Sequence, residues 1–91
     1  MRMVGLLGGM SWESTREYYR ILNEAARAAK GGLHSAPIIM HSFNFDVIAS
    51  RQSAGAWEEL DAILASAARG LEQAGASCML ICTNYMHRAR R

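Results

Sequence analysis

Proline and lysine occur once each in this sequence, at Pro37 and Lys30, and cysteine only twice, at Cys78 and Cys82. No apolar run approaches the roughly 18 residues that a membrane-spanning helix needs. The N-terminus also lacks the charged start, long apolar centre and small-residue cleavage site of a secretory signal. A cytoplasmic protein with no membrane partner is the expectation. The two cysteines lie four apart, which fits neither a CxxC redox pair nor a zinc-ribbon spacing. On an extended strand they would share a face about 13 Å apart, too far for a disulfide. Cys78 then reads as a core residue. His34, His41 and His87 form no HxxxH or HExxH pattern, so no metal is expected.

Clustered basic charge is absent from the body of the chain. Arg88, Arg90 and Arg91 supply three of the ten positive charges, and without them seven positive residues stand against eight negative ones. A nucleic-acid footprint is therefore excluded, and residues 88–91 read as an arginine-rich, solvated tail after a domain spanning residues 1–87. Hydrophobic residues make up 51% of the chain and charged ones 20%, which argues against disorder. A chain of 91 residues nevertheless buries only about 60–65% of its unfolded surface, which leaves a thin margin of stability.

What is present alternates between two periodicities. Met3 to Leu7 is a short continuous apolar run stopped by Gly8-Gly9, as in a buried strand. Tyr18, Ile21, Leu22, Ala25 and Ala29 then recur on one helical face. Ser11 can cap this helix, or Ser14 in a capping box with Glu17, and Gly31-Gly32 ends it. A second apolar run from Pro37 to Phe43 reads as a strand that tolerates proline only at its start. A loop follows with Asn44, Asp46, Arg51, Gln52 and Gly55. Trp57, Leu60, Leu64, Ala67, Ala68 and Leu71 mark a second helix, with Glu58 and Glu59 at its positive end. After Gly75, Ser77 to Ile81 forms the third strand.

The order βαβαβ, with continuous rather than alternating apolar strands, predicts an α/β fold: a parallel three-layer half of a doubly wound domain with right-handed crossovers. Functional groups in such sheets gather beyond the carboxyl ends of the strands. Three loops meet there, Gly8 to Thr15, Asn44 to Gly55, and Cys82 to His87. Gly5, Gly8 and Gly9 fit neither GxGxxG nor a P-loop, so a nucleotide is disfavoured; they suit a tight turn against a small ligand. Gly5 also suits close packing of a helix on the sheet. Cys82-Thr83-Asn84-Tyr85-Met86 puts a thiol at a strand exit, where following amide N–H groups would stabilise a thiolate. The alternative is a cysteine packed as a small hydrophobe. On the reactive reading Cys82 should be partly accessible, ionise below about 8.5, and alkylate faster than Cys78.

Gly5-Leu6-Leu7-Gly8-Gly9-Met10-Ser11-Trp12-Glu13-Ser14-Thr15, followed by Tyr18-Tyr19 and by Gly32-Leu33-His34-Ser35-Ala36, resembles the N-terminal half of the cofactor-independent aspartate/glutamate racemases, in particular their bacterial broad-specificity branch. The resemblance runs from about Met3 through His87. It implies a pseudo-symmetric two-domain enzyme that works without a cofactor, with one catalytic cysteine from each domain and a small amino acid such as aspartate or glutamate as substrate. Cys82 matches the N-terminal catalytic cysteine. Met10, Gln52 and Asn84 match substrate-binding positions, and Tyr85 stands where the family usually has threonine, with a bulkier reach to the substrate carboxylate. The second cysteine has no counterpart here, so the expectation is a truncated racemase domain, or an inactive remnant or small-carboxylate-binding fragment, that self-associates through exposed strand edges.

Overall fold

The computed structural model describes residues 2–82. Its elements follow in the order β1 (Val4–Gly8), α1 (Trp12–Lys30), β2 (Ile38–Ser42), α2 (Phe45–Ser53), α3 (Trp57–Gln73) and β3 (Cys78–Ile81). The strands form one parallel sheet in the order β2-β1-β3, with the first strand in the middle. Val4 pairs with Ile38 and Cys78, and Leu7 with His41 and Ile81. The first crossover leaves the centre in one direction and the second returns across it, so right-handed connections put α1 on one face and α2 and α3 on the other. Two glycines of opposite parity on β1 report the two faces. A Cβ on Gly5 would lie 3.1 Å from Ala76 Cβ and 3.3 Å from Leu71 Cδ1, whereas one on Gly8 would meet Thr15. Gly5 is thus the close-packing glycine that its place inside a strand suggested.

The larger core lies on the α3 side, where Leu7, Met10, Ile48, Leu60, Leu64 and Leu71 pack together, flanked by Ile39, Met79 and Ile81. Fully burying each such aliphatic side chain contributes about 1.5–3 kcal/mol. The α1 side is thinner. Thr15 and Ala26 are the buried residues of α1, while Tyr18 and Leu22 are half-buried and Ile21, Ala25 and Ala29 are exposed. The apolar stripe of the sequence is therefore rotated away from the sheet. Leu6 beneath α1 is fully covered, but Met40 and Leu80 on either side of it are each 38% exposed. The helix sits over the central strand and leaves the flanks open.

Two local expectations are corrected. The segment after β2 is not a plain loop: residues 45–53 form α2, capped by the Asn44 side chain, which accepts a hydrogen bond from the Asp46 amide at 3.1 Å. Ile48 is its only buried residue, so the strong periodicity that marks a helix was absent. The Ser14–Glu17 capping box also does not form. The helix starts three residues earlier, Ser11 is the N-cap, and Glu17 instead accepts from Arg20, which reaches Glu24 as well. The Arg20 hydrogen bond and charge hold the Glu17 carboxyl below its ordinary range. Among the described residues, no helix is long and apolar enough to cross a membrane.

Candidate active site at the carboxyl ends of the strands

Parallel strands bring their carboxyl ends together, so β1, β2 and β3 deliver Gly8-Gly9, Ser42-Phe43 and Cys82 to one end of the sheet. The glycine turn is locked there by two hydrogen bonds. The Phe43 amide donates to Gly8 O at 2.8 Å, and the buried Gly9 amide donates to Thr15 Oγ1 at 2.9 Å. Gly9 has φ +84°, and a Cβ there would strike the backbone of Phe43. The chain then enters α1 through Ser11, which holds φ +65° with no side-chain cap, its hydroxyl donating to Glu13 Oε1 at 3.2 Å. Trp12, 61% exposed, opens the helix, with the Arg16 guanidinium 5.7 Å above its ring. The first amides of α1 therefore point toward the strand ends, where their dipoles favour a carboxylate.

Thr15 was quoted in the sequence only as part of a motif, yet its hydroxyl fixes the turn. Replacing it with the near-isosteric valine leaves the Gly9 N–H buried and unpaired. Thr15→Val should lower the unfolding free energy by about 1–3 kcal/mol, read from the urea midpoint at unchanged slope. Thr15→Ser, which retains the hydroxyl, should recover most of that loss. A valine variant as stable as the parent would show that the bond contributes nothing.

The two thiols are arranged opposite to expectation. Cys82 has no solvent-exposed surface, and its amide donates to Leu7 O at 3.0 Å, one step beyond the Leu7–Ile81 pair and beside Gly8. Burial pushes its thiol up from 9.0 to about 11. Cys78, read from the sequence as core, is exposed. The strand parity was right, since both lie on the α1 face. The difference is one of burial along β3: the thiol at its carboxyl end is covered, and the one at its start is not.

The remaining sequence candidates are placed unevenly. The Met10 side chain is buried in the α3-side core, so a ligand at the strand ends would meet its backbone rather than its thioether. Gln52 is half-buried near the end of α2, next to Arg51, which donates to Glu59 Oε1 at 3.0 Å and to Val47 O at 3.1 Å. Asn84 and Tyr85 lie outside the described residues. A groove of about 590 Å³ runs between α1 and residues 32–35, and another of about 770 Å³ between β2 and α3. Neither is lined by Met10, Gln52 or Cys82. Among the described residues no group of three or more His, Cys, Asp or Glu could hold a metal ion.

Against known families, the Asp/Glu/hydantoin racemase model matches residues 7–90. The chain belongs to that racemase family. A crystal structure from Yersinia pestis, provisionally assigned as an Asp/Glu racemase, superposes with a TM-score of 0.96 at 47% identity, over 99% of this chain and 39% of that one. An aspartate racemase homologue from Pyrococcus horikoshii superposes at 0.86 with 32% identity and the same coverage. The three-stranded parallel sheet with its helices is thus a racemase half-domain, and the chain spans 39% of the length of either relative.

Proposed function

We propose that this chain supplies one half of a cofactor-independent amino-acid racemase site, with Cys82 Sγ as the proton-transfer group on one face of the substrate α-carbon. The observation that carries this reading is the position of Cys82, immediately beyond β3 and beside the glycine turn, in a chain of racemase family. Inversion needs a base on one face to take the α-hydrogen and an acid on the other to return one. A thiol with its pKa raised to about 11 is protonated at neutral pH, which suits the donor role. The acceptor is then a thiolate from the other half of the site. The α1 N-terminus and Asn84 hold the substrate carboxylate, with the Met10 backbone, Gln52 and Tyr85 as further substrate contacts. An acidic amino acid such as aspartate or glutamate is the substrate class.

The test follows α-hydrogen exchange and optical rotation of each aspartate and glutamate enantiomer in deuterated buffer. The 91-residue chain alone should invert none of them, since one thiol serves one face. Coexpressed with the remaining 61% of the Yersinia relative, it should exchange and invert, and Cys82→Ser should return both signals to background. Inversion that survives Cys82→Ser in the same assembly would overturn the role of Cys82. Binding of aspartate with no exchange in any assembly would favour the carboxylate-binding alternative.

A further inference from the structure

The stretch Gly32-Leu33-His34-Ser35 belongs to the racemase-like sequence, yet the proposed chemistry does not use it. It precedes β2, and so lies at the opposite end of the parallel sheet from Cys82. It forms one wall of the groove of about 590 Å³ whose other wall is α1. Hydrogen bonds fix that wall at both ends. Asn23 Oδ1 accepts from the Ala36 amide at 2.9 Å, while its Nδ2 donates to Tyr19 O at 2.9 Å. At the other end the Gly31 amide donates to Arg27 O at 2.6 Å, and the His34 amide to Gly31 O at 3.2 Å. Gly31 and Gly32 hold φ +76° and +58°, a turn that projects Leu33 fully into solvent. The groove is thus formed before anything enters it, which lowers the ordering cost of binding.

The charges on its walls are unbalanced. Glu24 is the acid of the groove, and Arg20 holds it at 2.9 Å. Among the described residues, no side-chain hydrogen bond or ion pair engages Arg27 or His34, which line the same groove from different elements. Arg27 alone would be an ordinary cation in a last helical turn. His34 adds a ring N–H donor from across the groove. Beside these polar groups stand Tyr19, half-exposed, and the uncovered Leu33. The volume falls among those of small-molecule sites, about 300–1,000 Å³. We propose that this groove binds a small organic anion, a carboxylate or phosphate group carried on an apolar body. Arg27 and His34 take the anionic oxygens, and Tyr19 and Leu33 cover the body. The site is separate from the one at Cys82 and does not depend on the racemase reading.

The test titrates the 91-residue chain, labelled with nitrogen-15, with phenyl phosphate and with benzoate, and follows its amide resonances. Inorganic phosphate supplies the charge without the body, and phenol the body without the charge. At least one aryl anion should shift the Gly32, His34 and Ser35 amides with a Kd below about 1 mM, at least about tenfold tighter than either control. The tighter of the two aryl anions assigns the ligand as phosphoryl or carboxylate. Arg27→Gln should weaken that binding about tenfold or more. Leu33→Ser should weaken the aryl anion several-fold and leave inorganic phosphate unchanged. Lys30→Gln, in the same helical turn but outside the groove, should change neither. All three positions are exposed, so each variant should keep the parent's circular dichroism. Inorganic phosphate binding as tightly as the aryl anions, or equal losses in Lys30→Gln and Arg27→Gln, would reduce the site to diffuse surface charge and overturn the proposal. So would aryl anions that leave these amides unmoved, or that shift Gly8 to Trp12 instead, which would place the probe at the Cys82 end of the sheet.

Discussion

Gly9→Ala should remove most of the native stability of this chain. Two independent costs meet at that residue. Its φ of +84° is unfavourable for any side chain, and the added Cβ would strike backbone atoms of Phe43 and come within 2.7 Å of Ser42 Oγ. The Phe43 atoms cannot swing aside as a side chain would, because the Phe43 amide is itself bonded to Gly8 O. Strain plus overpacking should cost about 3–5 kcal/mol, against a total of about twice that for a domain of this size. The control is Gly55→Ala, which has φ +70° but open space around the Cβ. That variant should lose about 1 kcal/mol. Urea unfolding of both distinguishes the contributions: equal losses would mean that the close approach of β1 to Phe43 carries no weight and that only φ matters.

Most of the architecture was legible in the sequence because buried parallel strands write themselves as continuous apolar runs. Val4 to Leu7, Ile38 to Met40 and Met79 to Ile81 could be placed to within a residue or two. Residues 45–53 escaped because α2 buries only Ile48 and owes its start to the Asn44 cap, a short-range signal without an apolar stripe. The α1 stripe was read correctly as apolar but not as buried. Periodicity says which residues share a face; it does not say whether the fold supplies a partner for that face. The same limit explains the cysteines. Alternation placed Cys78 and Cys82 on one side of β3, but it does not say which end of that side is covered. The strand-end cluster was legible through the glycine-methionine-serine-tryptophan motif, whereas the grip of Thr15 on Gly9 is a tertiary contact with no spacing rule of its own.

The inverted order of the two thiols gives a large and direct expectation. With its pKa at about 11, Cys82 is about 0.1% thiolate at pH 8, roughly a hundredfold less than a thiol at the ordinary 9.0. Full burial slows it further, so in the folded chain Cys78 should alkylate at least about a hundredfold faster than Cys82. Denaturant should abolish the difference. The same shift couples to stability. The fold favours the neutral thiol, so its stabilisation is complete below about pH 9 and is lost as pH rises through about 11, a difference of order 2–3 kcal/mol. The quantity to measure is the parent minus Cys82→Ala, which removes the thiol and its alkaline slope. A chain whose Cys82 labels as readily as Cys78 at pH 8 would contradict both the burial and the donor role. It would mean that the thiolate is stabilised within this half of the site, and the proton acceptor would then be Cys82 itself.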